Sequence, residues 1–232
     1  MKIIISPAKT MILSNVKGST TPLYLDNAKK IIESLKELDL TSLNKIYKVS
    51  ESLLLKEKEK LDNSDFNITS SAITSYDGIQ YKYLDYNSLD NDAKEYIDKY
   101  LNILSGLYGV LKPTDGIINY RLEMNSNKKF YKEILRDYYK DEDYVINLAS
   151  KEYSSILDDD NLITIRFLEY TNSVLKEKST SSKIMRGLFL RYLALNKITD
   201  YDELKKIEIN DYKYDDSLSK SNKLVYVKAE IV

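Results

Sequence analysis

The chain has 232 residues, enough for one mixed domain with a sizeable core, and no stretch approaches the ~20 uncharged apolar residues that a membrane helix needs. It contains neither Cys nor His, which excludes disulfides, thiolate nucleophiles, Ser-His-Asp and Cys-His catalysis and His- or Cys-based metal motifs. With 35 basic and 36 acidic residues the formal net charge is −1, so attraction of a polyanion requires cations segregated onto one surface.

In chain order, Lys2 to Ser6 has the Ile-rich character of a short buried strand that Pro7 stops. The apolar run is too short for a signal-peptide core, so the chain is expected to stay in the cytoplasm. After a loop through Thr21, Leu25, Ala28, Ile31, Ile32, Leu35 and Leu38 recur at helical spacing and predict an amphipathic helix over Tyr24 to Leu38. Further helices are predicted over Thr41 to Val49 and Ser52 to Leu61, the second carrying the solvated run Lys56 to Lys60. Ile79 to Leu84 reads as a strand after an Asp77-Gly78 turn, and Asp92 to Leu104 reads as one helix ended by Gly106. Strands are expected over Tyr144 to Leu148, Leu162 to Leu168, Ser173 to Lys178 and Leu224 to Ala229. Helices are expected over Phe130 to Tyr139 and Lys183 to Asn196. The elements interleave without a βαβ period, internal repeat or linker, which points to a single α+β domain over 1–232 with a central sheet and surrounding helices.

Several short segments place chemistry-bearing residues together. Ser6-Pro7-Ala8-Lys9-Thr10 leaves a strand end, where Lys9 can meet a phosphate. In Leu104-Ser105-Gly106-Leu107-Tyr108-Gly109-Val110-Leu111-Lys112-Pro113 two glycines three apart imply a tight turn, either structural or an amide cradle for an anion. In Tyr120-Arg121-Leu122-Glu123-Met124 an Arg and a Glu share a face if the segment is extended. Tyr144 to Tyr153 reads as a strand, a small-residue turn with Asn147, and a helix start, with Ser150 as N-cap candidate and Glu152 near the positive helix end. On a helical wheel from Lys183, residues Lys183, Arg186, Gly187, Arg191 and Ala194 fall on one face and Met185, Leu188, Phe189 and Tyr192 fall opposite. That face is either a phosphate-contacting surface or a solvated basic stripe.

The ordered series Ser-Pro-Ala-Lys-Thr, Leu-Ser-Gly-Leu-Tyr-Gly-Val-Leu-Lys-Pro, Tyr-Arg-Leu-Glu-Met, Ile-Asn-Leu-Ala-Ser-x-Glu-Tyr and Lys-x-x-Arg-Gly resembles the YaaA family of bacterial peroxide-stress proteins over nearly the whole chain. The resemblance implies a cytosolic protein that answers hydrogen peroxide and limits damage by keeping unincorporated iron low. It also implies a positively charged cleft and a helix-hairpin-helix-like element that binds double-stranded DNA. On this reading Lys9, Lys112, Arg121, Lys183, Arg186, Gly187 and Arg191 are the expected DNA-binding residues. Ser6, Ser105, Gly106, Tyr108, Gly109, Asn147 and Ser150 are the expected anion-turn residues, and no metal or cofactor is called for. The hairpin region Asn196 to Tyr201, before a second helix at Asp202 to Lys206, lacks the expected glycines. The family's Gly-Asp-Val-Tyr-x-Gly segment reads Gly78-Ile79-Gln80-Tyr81-Lys82-Tyr83 here, without the acid or the second glycine.

Two other classes of function remain open. A DNA-acting lyase or glycosylase-like enzyme would use Lys9 or Lys183 as a Schiff-base nucleophile, with Glu123 or Glu152 as proton acceptor. Direct ferric binding would need carboxylates and tyrosinates, for which Asp141-Glu142-Asp143 and Asp158-Asp159-Asp160 are the candidate runs.

Overall fold

The computed structural model describes residues 1–12, 14–67, 69–157 and 161–229. Its centre is a nine-stranded mixed sheet. The first strand, β1 (Lys2–Ile5), lies between β2 (Leu101–Ser105) and β4 (Val145–Leu148), parallel to both. β3 (Gly109–Leu111) returns antiparallel on β2 at one edge. Beyond β4 the sheet continues through β5 (Leu162–Thr171), which carries β6 (Val174–Lys176) as a hairpin partner. β7 (Glu208–Ile209), β8 (Tyr212–Tyr214) and β9 (Lys223–Lys228) complete it, with β9 parallel to β5.

Ile3, Ile4 and Ile5 are all fully buried because a central strand is covered on both faces and successive side chains alternate between them. Ile3 and Ile5 join the larger core cluster, whereas Ile4 joins a second one with Tyr131, Leu135 and Tyr139. The first core is covered by α1 (Leu25–Lys36), α2 (Leu40–Tyr47), α3 (Glu51–Asp62), α4 (Ile79–Leu84), α5 (Asn91–Tyr100) and α8 (Ser179–Leu195). The second is covered by α6 (Met124–Tyr139) and the single turn α7 (Lys151–Ser154). A four-residue helix, α9 (Tyr201–Leu204), follows α8.

Two sequence expectations are corrected. Ile79 to Leu84 is helical, with Gly78 as N-cap and with Gln80, Tyr81 and Leu84 buried at helical spacing. The Asp92 to Leu104 periodicity spans two elements, because α5 ends at Tyr100 and Leu101–Ser105 is a strand buried at every position. A strand apolar on both faces continues the apolar count of the helix before it, so Leu101 and Leu104 fit either period. The remaining predicted helices and strands appear with ends shifted by a few residues.

Packing of α4 on α8 decides what the site looks like. A Cβ on Gly187 would lie 2.3 Å from the Gln80 carbonyl oxygen and 2.9 Å from Tyr83 Cβ, so only glycine permits this crossing. The wheel face read as open to phosphate is therefore partly a seam: Gly187 and Ala194 are buried, and the glycine admits α4.

Candidate functional site

Because β1 and β4 are neighbouring parallel strands, their carboxyl ends leave the sheet at the same edge, the usual place for ligands in sheets of this kind. Ser6 and Ser150 meet there. The Ser150 amide donates to Ser6 Oγ at 2.8 Å, and the two hydroxyl oxygens lie 3.2 Å apart. Ser150 precedes α7 at its N-cap position without a side-chain capping bond. Tyr81 of α4 donates to the Ser6 carbonyl at 2.9 Å, and a Cβ on Gly78 would lie 2.8 Å from that of Ala8, so α4 presses directly on the strand-end loop.

A cleft of about 470 Å³ opens over this edge, lined by the two serines together with Lys9, Glu152, Lys183 and Arg186. Asp77, Gln80 and Tyr81 add to its wall, residues that the strand reading of this segment gave no reason to place there. Helical spacing of Gln80, Tyr81 and Leu84 after a glycine is the signal that finds them.

The charges in and beside the cleft are unevenly paired. Lys9 Nζ sits 2.5 Å from Glu123 Oε1, and Arg121 Nη2 approaches the same oxygen at 3.8 Å. Both cations thus serve Glu123, leaving the neighbouring Glu152 less compensated. Burial, then repulsion from Glu123, raises the Glu152 carboxyl above the ordinary glutamate range, with Lys9 opposing. Asp77 pairs with Lys82 at 3.3 Å.

Arg186 is a largely covered guanidinium, its side chain 14% exposed, and desolvation pulls its pKa down. Its nearest carboxylate, Glu177, is chiefly engaged by Arg166 at 2.8 and 2.9 Å, and Arg186 Nη2 reaches the other oxygen only at 3.5 Å. Lys183, one turn earlier in α8, is exposed and forms no ion pair among the described residues.

Other expected site residues lie elsewhere. Arg191 Nη1 is taken up by the carbonyls of Leu84 and Asp85, closing the end of α4. Arg121 borders a small pocket of about 10 Å³ with Tyr47, Glu57 and Ser64. Lys112 is exposed but outside the cleft lining. The Ser105–Gly109 turn is filled from within, because Ser105 Oγ accepts the amides of Leu107 and Tyr108 at 3.1 and 2.9 Å. Its glycines serve close packing: Gly109 has φ of +72° against the Tyr131 ring, and a Cβ on Gly106 would meet the Leu122 carbonyl at 2.4 Å. Tyr108 is fully buried, with its hydroxyl accepting from the Ile118 amide. Asn147 is likewise turned to structure, accepting the Ala149 amide at 2.9 Å and donating to Thr164 Oγ1 at 3.1 Å.

The hairpin between α8 and α9 places Lys197 in the left-handed region at φ 53° and pairs it with Asp92 of α5 at 2.5 Å. Among the described residues no three carboxylates converge as metal ligands. Glu142 of the first acidic run pairs with the terminal amine at 2.7 Å, and Asp158 to Asp160 lie outside the described residues. No described helix is long and apolar enough to cross a membrane.

The family model for the peroxide stress protein YaaA matches residues 1–218. The chain belongs to the YaaA family of peroxide stress proteins. Similar proteins include the UPF0246 proteins of Finegoldia magna, 37% identical over 241 residues, and Lachnoclostridium phytofermentans, 37% identical over 249. These alignments cover 99% of this chain and 98% and 97% of the respective relatives. The UPF0246 protein of Clostridioides difficile is 35% identical over 246 residues, covering 98% of this chain and all of the relative. Within this YaaA-family chain, Gly78, Ile79, Gln80 and Tyr81 form a wall of the cleft.

Proposed function

We propose that this YaaA-family protein acts in the cytoplasm during hydrogen-peroxide stress, binds double-stranded DNA at the cleft and helps keep unincorporated iron and oxidative damage low. The observation that carries the DNA part is the state of two cations on α8. Lys183 has no ion-pair partner among the described residues, and Arg186 has only a long contact to a carboxylate already held by Arg166. Charges left uncompensated at a sheet edge attract phosphate, whereas Lys9 and Arg191 are already engaged.

The test is fluorescence anisotropy of a labelled duplex at two salt concentrations, with a Lys183→Ala/Arg186→Ala variant beside the parent. Salt-sensitive binding that the variant loses is the expected result. Absence of binding at low salt would overturn the reading. Whole-cell electron paramagnetic resonance of a deletion strain under peroxide tests the iron component, with a raised ferric signal expected.

A DNA-acting enzyme is the second reading, favoured by the Lys183 amine, which has no ion-pair partner among the described residues and lines the same cleft as Glu152. A lysine that forms a Schiff base with an abasic site gives a covalent adduct on borohydride reduction, which K183A would abolish. No adduct on abasic DNA removes this reading.

A further inference from the structure

Buried polar atoms in folded proteins are nearly always hydrogen-bonded, so each exception calls for an explanation. Among the described residues five buried side-chain atoms lack a partner: Ser64 Oγ, Arg121 Nε, Thr171 Oγ1, Glu152 Oε1 and Arg186 Nε. Ser64 and Arg121 border the small pocket of about 10 Å³, roughly the least volume that holds one water. Arg186 Nε and Glu152 Oε1 are themselves shielded within the protein, but their side chains line one cleft of about 470 Å³. Together with the exposed Lys183 they give it an under-paired cation and a carboxyl, which suit a molecule carrying an anionic group and a hydrogen-bonding edge.

Size and wall chemistry narrow the class. A volume of 470 Å³ equals a cube roughly 8 Å on edge, within the range of small-molecule pockets and far too small to admit a whole duplex. A duplex can lie across the mouth without entering. Pro7, Ala8 and Ile79 give the cleft apolar wall, suited to the face of a flat heterocycle. We infer that the cleft is a single-nucleotide site, in which Arg186 and Lys183 take the phosphate and Glu152, beside the Ser6 and Ser150 hydroxyls, reads the edge of the base.

The nucleotide can come from two sources, a free nucleoside monophosphate or one unpaired nucleotide of a DNA strand. The second source rests on the DNA-binding reading above; the first does not. An unpaired nucleotide enters most readily where it is already unstacked, because extrusion from a paired stack costs free energy.

The test uses the full chain in two arms. In the first, calorimetry measures the four deoxynucleoside monophosphates against inorganic phosphate and the matching nucleosides. In the second, anisotropy compares a fully paired duplex with one carrying a single unpaired nucleotide. The expected result is a gain of about tenfold or more, for the monophosphates over phosphate and nucleosides or for the unpaired duplex over the paired one. Arg186→Lys should remove that gain, and the exposed Lys183→Ala serves the same purpose if the first variant does not fold. Glu152→Gln should change the ranking of the four bases while leaving binding of inorganic phosphate unaltered.

Failure of both gains overturns the single-nucleotide site. If the paired duplex still binds in a salt-sensitive manner, DNA binding stands without it. Monophosphate binding without any duplex binding would do the reverse, keeping the nucleotide site and removing the DNA reading.

Discussion

Arg191 Nη1 lies 2.9 Å from the Leu84 carbonyl and 3.0 Å from that of Asp85, so a cation of α8 closes the carboxyl end of α4. Carbonyls at a helix end have no partner within the helix, and a cation there also complements the helix dipole. Replacing Arg191 with Ala is expected to destabilise the protein by about 1–3 kcal/mol, measured by urea denaturation. Its effect on DNA should differ from that of Lys183→Ala. The salt dependence of binding stays unchanged for Arg191→Ala, whereas loss of one phosphate contact lowers the slope by about one.

Gly187→Ala sets two effects against each other. Alanine favours a helix over glycine by about 1 kcal/mol. Here its Cβ would lie 2.3 Å from a backbone oxygen of α4, a contact that no side-chain rotation relieves. Overpacking of this kind costs about 1–3 kcal/mol or more, so the expected outcome is a lower melting temperature.

Glu152→Gln reports on the carboxyl's environment. Its folded pKa is raised, so the folded state holds a proton that the unfolded chain has already released. That contribution to stability is fully present below the ordinary glutamate value and is lost as pH rises through the folded one. The glutamine variant should therefore be more stable than the parent at neutral pH and should lack this part of the decline. Denaturant midpoints between pH 4 and pH 8, on the order of one unit apart, give the comparison.

Ser105→Ala separates the two readings of the glycine turn. Ser105 is fully buried and its oxygen accepts two amides, besides lying 2.6 Å from the Tyr120 hydroxyl. Alanine leaves those donors without a partner, so a loss of about 2–4 kcal/mol is expected, with duplex affinity unaltered once folding is complete. Reduced affinity at full folding would restore the anion-cradle role.

What can be read from the residues depends on whether the deciding contacts are local. The Ile run at Lys2–Ile5 and the stop at Pro7 announce β1, and the α1 pattern announces its buried stripe through Ala28, Ile32 and Leu35. Ser6, Lys9, Ser150, Lys183 and Arg186, all expected as site residues, do line one cleft. The α4 segment misleads because Tyr and Ile suit strands, although Gln80, Tyr81 and Leu84 keep helical spacing; that the helix packs closely on Gly187 is not visible in the segment itself. Arg186 and Arg191 stand about 140° apart around α8, on opposite flanks of the wide face that also carries Lys183 and Gly187. Which of the two meets the cleft and which caps α4 is decided by where α4 ends, and no spacing within α8 reveals it.

The hydroxyl pair that founds the cleft joins residues 144 positions apart. Such a contact forms only after the chain between has closed a long loop, and contacts of that separation are slow to establish. Neither the first hundred residues alone nor the last hundred contain the strand pair that brings Ser6 to Ser150, since β1 and β4 belong to opposite halves. A nascent chain that stops short of β4 can therefore acquire α1, and a C-terminal fragment can acquire α8, without the strand pair that forms this edge. The cleft edge at Ser6 and Ser150 is thus a property of the whole chain and of neither half alone.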